Sequence, residues 1–216
     1  MESPVKGNPN ADIIDSIISI EQGMFDKVLN IGGRASCQDD HATFYIMRCC
    51  QYLPWDRPVL ESWEADLKKA EEEGQNLVEL KYAYMTGCDD PEYYEKNLAP
   101  FIPAVSGKKS AAADAVMDCI LPGFREAAEK YPAFTSRGRP ENGNTGASFS
   151  VYMRCELLTY SENTLALFLE MQRNKARARI CYACEVYENT AKFYGFAGLE
   201  EAESALTKAG SRGPAV

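Results

Sequence analysis

The sequence predicts an all-α fold of about ten helices, arranged as two weakly repeated halves packed into one globular body. Three observations carry this. Apolar residues recur at spacings of three and four along most of the chain. No segment alternates apolar and polar residues over the length of a strand. Breakers and caps fall between the periodic stretches, at Gly32-Gly33, Pro54, Gly74, Pro132 and Gly195.

The first helix is expected from about Asp12 to Leu29. Its stripe is Ile14, Ile17, Ile18, Met24, Phe25 and Val28, with Glu21 at its centre. Gly32-Gly33 supplies the turn that follows. Ser36 with Asp39 forms a short-armed capping box, so the second helix is read from Ser36, and Pro54 ends it. On that helix Thr43, Met47 and Cys50 share a face, with Phe44 at its edge. Asp40 and Gln51 fall on the same face, and Arg48 lies on its flank. A third helix follows Asp56 and Pro58, with Leu60, Trp63, Leu67 and Ala70 inward and a charged, solvated outer face. Gly74 breaks it, and Asn76 caps a fourth helix running to Thr86, with Lys81 amid its apolar residues. Asp90-Pro91 opens a short fifth helix through Leu98.

The stretch 99–109 is extended and proline-interrupted, and reads as the link between halves. A sixth helix runs from Ser110 to Lys130, kinked or broken at Pro122-Gly123. The loop 133–147 is long enough to be functional or mobile, and carries Arg137 and Arg139. A seventh helix, Ser148 to Tyr160, is apolar nearly all round, with Arg154 and Glu156 as its only charges. An eighth starts at Ser161 and ends in the basic run RNKARAR. A ninth spans about Arg179 to Tyr194, with Glu188 near its stripe. A last helix covers Leu199 to Lys208. The expected organisation is a tail (1–10), a single helical domain (11–209, with halves 11–98 and 110–209), and a second tail (210–216).

The two halves share a pattern. Phe44, Trp55, Leu60 and Trp63 recur at one offset as Phe149, Tyr160, Leu165 and Phe168. This predicts an internal duplication without the further copies of a solenoid.

Composition narrows the function. A net charge of −9 over 216 residues argues against general binding to nucleic acid or anionic membranes. The N-terminus lacks a basic start followed by an apolar core, and no run reaches the ~20 apolar residues of a membrane helix. A cytoplasmic protein is expected, with its eight cysteines mostly reduced. Cys181-Tyr182-Ala183-Cys184 is a lone C-x-x-C inside a helical pattern. Redox or metal use would want a helix N-terminus or a second ligand pair, so the pair reads as packing. Cys49-Cys50 reads likewise. One histidine in the chain argues against a His-based metal site or a Ser-His-Asp triad. No cofactor and no metal are expected.

Polar groups in an apolar stripe cost free energy unless paired. Glu21, Asp40, Gln51 and Lys81 each occupy such a position, and they are expected to converge, with Glu21 able to pair with Lys81. Two carboxylates, an amide and an ammonium would then share one interior, an arrangement suited to acid–base chemistry. Catalytic candidates are Glu21, Cys37, Asp40 and Lys81. Cys37 follows the expected cap Ser36 and stands near Arg34 and Arg48, so it is a candidate activated thiol with Asp40 as proton carrier. Binding candidates are Arg34, Gln38, Arg48, Gln51, Arg139, Arg154, Glu156 and Glu188. The favoured reading is a buried polar site that binds or transforms a small anionic metabolite. The alternatives are a helical interaction or regulatory protein whose polar cluster is structural, and a helical RNase using Arg34 and His41. Oligomeric state is left open.

Several stretches also carry a family resemblance. These are Ile20-Glu21 with Met24-Phe25, GGRASCQDD (32–40), TFYIMRCCQ (43–51) and GQNLVELKY (74–82). RGRP (137–140), ELLTYSENTL (156–165) and ENTAKFYG (188–195) continue it in order. The chain resembles the bacterial family catalogued as domain of unknown function 4125. The resemblance implies a helical bacterial protein with no established activity. KARAR departs from it, standing where a glycine turn would mirror the first half, and His41 lies outside its motif.

Overall fold

Burial of apolar stripes sets the architecture. In this computed structural model the described residues are 5, 7–30, 32–141 and 148–211. Among them are eleven α-helices, two short 3-10 turns and no strand. Helix α1 (Ala11–Asp26) buries Ile13, Ile14, Ile17, Ile18, Met24 and Phe25, with Glu21 among them. A 3-10 turn at Ser36–Gln38 leads to α2 (His41–Tyr52), whose buried residues are Arg48, Cys49, Cys50 and Tyr52. Helix α3 (Arg57–Glu72) carries Pro58 in its first turn and buries Leu60, Trp63, Leu67 and Ala70. Helix α4 (Leu77–Asp89) starts at Asn76, whose side chain accepts the Glu79 N–H. The same Asn76 amide donates to the Met24 carbonyl at 2.7 Å, tying the start of α4 to the end of α1. Helix α5 (Pro91–Asn97) is capped by Asp90, and a second 3-10 turn covers Ala99–Phe101.

The second half begins with α6 (Gly107–Lys130), capped by Ser106. A single turn, α7 (Pro132–Thr135), follows it. Helices α8 (Phe149–Leu157) and α9 (Glu162–Arg177) are capped by Ser148 and Ser161. Helix α10 (Tyr182–Phe193) is capped by Cys181, and α11 (Leu199–Ser211) closes the fold. Helix α1 packs on α2, α3 and α4, α3 on α9, α4 on α8, and α6 on α8, α9 and α10. The core between the halves is aromatic. Trp63 and Tyr160 lie 4.2 Å apart between ring centres, and Trp55 and Phe168 4.7 Å. No helix among the described residues is long and apolar enough to cross a membrane.

Several boundaries differ from the sequence reading. Helix α2 starts at His41 rather than Ser36, because Asp40 supplies the cap by accepting the Thr43 N–H. The Ser36 region closes as a 3-10 turn instead, held by Gln38. Helix α6 starts three residues before Ser110 and continues through Pro122. The predicted loop 133–147 contains most of α7, and residues 142–147 lie outside the described ones. Helix α10 starts at Tyr182, not Arg179, because Arg179 takes a left-handed conformation (φ 56°) in the turn that ends α9.

Gly74 takes the equivalent conformation (φ 69°) at the end of α3. A side chain in this region costs roughly 1–2 kcal/mol that glycine avoids. Arg179→Gly should therefore raise stability by about 1 kcal/mol in urea denaturation. A loss of stability would contradict the left-handed turn.

Candidate functional site

Helix spacing assembles a polar cluster from four helices. On α2, Arg48, Gln51 and Tyr52 stand three and four residues apart and so share a face. On α8, Tyr152 and Glu156 do the same. These two faces meet Glu21 of α1 and Lys81 of α4. Arg48 is 7% exposed. Its Nε donates to Glu21 Oε2 at 2.7 Å. Its Nη2 donates to Glu21 Oε1 and to the Tyr52 hydroxyl. Its Nη1 donates to Gln51 Oε1 at 2.9 Å and to both Glu156 oxygens at 3.0 Å. Every nitrogen of Arg48 is thus engaged. Tyr52 also donates to Glu21 at 2.6 Å, and the Trp63 indole N–H donates to Tyr52 at 3.1 Å.

Glu156 is the second hub. It accepts the Gln51 amide at 2.7 Å, the Tyr160 hydroxyl at 3.2 Å and the Lys81 ammonium at 3.4 Å. Burial pushes the Glu156 carboxyl up, but Arg48, then Lys81 and the Gln51 hydrogen bond, outweigh it and hold it at about 2. Burial pushes the Lys81 ammonium down, but Tyr152 and Glu156 outweigh it, so Lys81 stays protonated. Lys81 donates to the Tyr152 hydroxyl at 2.8 Å and lies 4.3 Å from the centre of that ring.

This cluster borders a cavity of about 740 Å³. Phe25, Phe44, Met47, Leu77, Val78 and Tyr82 line it from α1, α2 and α4. Phe124, Phe149, Tyr182, Val186 and Tyr187 line it from α6, α8 and α10. The polar residues along it include Glu21, Arg48, Gln51, Lys81, Tyr152 and Glu156, together with the exposed Cys37, Asp40, Arg137 and Arg139. The cavity is rich in aromatic side chains, with a few polar groups converging on it.

The structure brings together Glu21, Arg48, Gln51, Lys81 and Glu156. Their pairing differs from the expected one, with Glu21 on Arg48 and Lys81 on Glu156. Asp40 does not join them. It lies outside the α2 stripe as an exposed cap, and the Thr43 N–H lowers its carboxyl pKa. Cys37 lies in the 3-10 turn, four residues before α2 starts. The cations expected beside it are committed elsewhere, Arg34 to Asp26 and Asp39 and Arg48 to Glu21 and Glu156. Arg139 lines the cavity and lies over the Tyr152 ring at 4.5 Å.

The remaining candidates stand away from the cavity. Arg34 also donates to the Asp26 and Gln38 carbonyls and staples the loop between α1 and α2. Gln38 is 1% exposed and pins that loop by donating to the Phe25 and Val28 carbonyls. Arg154 pairs with Asp114 at 2.7 Å and donates to Ser110 at 2.8 Å. Glu188 accepts the Leu199 N–H at 2.7 Å, which lowers its pKa, and pairs with Lys192. His41 is exposed, 3.7 Å from Asp26. Tyr52, Trp63, Tyr152 and Tyr160 complete the network and were not among the predicted site residues. The three tyrosines stand four residues from Arg48 or Glu156, which was their one signal, and Trp63 on α3 carried no such spacing.

Among the described residues no group of three or more His, Cys, Asp or Glu is placed to hold a metal ion. Neither the curated proteins nor the solved structures contain a match to the chain. Residues 11–204 match the pattern of the family described as protein of unknown function (DUF4125), and the chain belongs to that family.

Proposed function

We propose that the cavity binds a small anionic molecule with an apolar or aromatic body. The observation that carries this is the Lys81 ammonium, 6% exposed yet lining the cavity. It has three N–H groups and directs two of them at Tyr152 and Glu156. Gln51 likewise has two amide N–H groups and gives one to Glu156. Both residues keep donor capacity beside the cavity, which suits an acceptor such as a carboxylate. Charge supports the same class. Four cations (Arg48, Lys81, Arg137, Arg139) and three anions (Glu21, Asp40, Glu156) line the cavity, a balance of +1 in a chain of net charge −9.

The structural reading fits one part of the cluster. Arg48 has no nitrogen left for a ligand, so the Glu21–Arg48–Tyr52 unit is framework, while Lys81, Gln51 and Tyr152 face the ligand. The RNase reading has less support, since Arg34 and His41 meet at Asp26, and neither lines the cavity.

We also infer that the polar cluster lies where two duplicated units meet. Helices α3 and α9 each have 16 residues and start at 57 and 162, an offset of 105. Helices α4 and α10 start at 77 and 182, again 105 apart. The same offset relates Gly74 to Arg179, and Gln51 to its partner Glu156. A family-wide alignment in which the two halves score no better than unrelated helices would remove this inference.

The binding proposal is tested by thermal shift with aryl carboxylates and alkyl phosphates, against the matching amides and amines. The acids should stabilise in a concentration-dependent way, by roughly 2.7 kcal/mol at a hundredfold excess over Kd. Lys81→Met should abolish the response relative to its own baseline. Equal responses to amines, or a full response in Lys81→Met, would overturn the proposal.

A further inference from the structure

We infer that Cys181 and Cys184 form a reactive centre apart from the cavity, a dithiol that undergoes thiol–disulfide exchange with small disulfides. The inference is independent of the cavity's ligand. A C-x-x-C pair needs a helix N-terminus to be redox-active, and that is where the structure puts it. Cys181 is the N-cap of the twelve-residue α10, and its Sγ accepts the Cys184 N–H at 3.2 Å. The intervening Tyr182 and Ala183 are buried, which leaves the two cysteines at the partly exposed edge of the turn. The pair forms a disulfide with Cα atoms 5.2 Å apart, a separation a disulfide accepts without backbone movement. This corrects the packing reading, which rested on placing the pair inside a helix.

Cys181 stands at the positive end of α10. The unpaired N–H groups of the first turn stabilise an anion. The basic end of α9 immediately precedes the turn, with Lys175 and Arg177 in its last turn and Arg179 just beyond. Glu185 opposes them from the first turn of α10, but the Lys175 ammonium holds it at 2.8 Å. Three other cysteines contrast with the pair. Burial pushes the thiols of Cys49 and Cys155 up to about 12, and that of Cys50 up to about 11, so they stay protonated.

Starting from the reduced pair, the Cys181 thiolate attacks one sulfur of a small disulfide. A Cys181–sulfur bond forms, and the other half leaves as a thiolate. Cys184 gives up its proton and attacks Cys181 Sγ, which expels the second half. The two cysteines lose two electrons and two protons, and the small disulfide becomes two thiols. The reverse sequence reduces the pair.

The test equilibrates the folded full-length protein across ratios of reduced to oxidised glutathione, quenches with iodoacetamide and maps tryptic peptides. The peptide 180–192 holds both cysteines and no other. It should pass from two alkyl groups to none as the buffer becomes oxidising, while the circular dichroism spectrum stays constant. Cys184→Ser should trap one glutathione on Cys181. A pair that keeps one state at every ratio until the chain unfolds would overturn the inference. So would glutathione trapped in the variant on the exposed Cys37 or Cys88 instead of Cys181.

Discussion

Arg48→Met should lower the stability of the protein by roughly 3–5 kcal/mol, the range for removing one partner of a buried ion pair. The reason lies less in the lost attraction than in what is left behind. Arg48 serves two carboxylates at once, Glu21 at 1% exposure and Glu156 at 2%. Methionine fills a similar volume but has no donors, so both carboxylates lose their principal partner. Glu156 keeps Gln51, Tyr160 and Lys81. Glu21 keeps only the Tyr52 hydroxyl and a long contact to the Trp63 indole. A typical domain has about 5–15 kcal/mol in all, so the variant should sit near the edge of folding. Urea denaturation reads the effect as a lower midpoint. Adding Glu21→Gln to the variant should recover part of the loss, because the uncompensated charge is then gone. An Arg48→Met protein that melts with the parent would show that the network is not assembled as described.

The fold was legible because its signals are local. Stripes, caps and breakers fixed most helices, and Asn76, Asp90, Ser148 and Ser161 cap where their sequence positions indicate. The starts of α2 and α10 were misread where two signals competed. Ser36 with Asp39 resembles a capping box, yet Asp40 is the residue whose carboxylate reaches the next helical N–H. Arg179 hid a turn that a glycine would have announced. The misread starts moved Asp40 into a stripe it does not occupy and moved the C-x-x-C pair off the helix N-terminus it does occupy. The site was partly legible for a different reason. An ionisable group in an apolar stripe must find a partner, which singles out Glu21 and Lys81. Which partner each finds depends on how helices distant in sequence dock. Glu156 is 108 residues from Arg48 and 75 from Lys81, and no local pattern carries that information. The tyrosines escaped notice because their apolar rings satisfy the stripe and conceal the hydroxyl.

Glu156→Gln should cost about 3 kcal/mol near neutral pH, and the cost should disappear in acid. The Glu156 carboxyl is buried, yet Arg48 and Lys81 hold it at about 2. In an unfolded chain a glutamate titrates near ~4.3. The folded value is the lower one, so the folded state favours the carboxylate. The stabilisation is therefore fully present above the unfolded value and is lost as the pH falls from ~4.3 towards 2. A gap of roughly two pH units corresponds to about 3 kcal/mol. Glutamine keeps the shape and still accepts from Arg48, but it carries no charge and does not titrate. The measurement is urea unfolding of parent and variant side by side at pH values from about 7 down to about 3. Other carboxylates titrate in both proteins and drop out of the difference. The parent should lead by about 3 kcal/mol at neutral pH, with the lead shrinking once the pH passes below ~4.3. A difference that stays constant on acidification, or grows, would mean that Glu156 is not the ionised hub between Arg48 and Lys81.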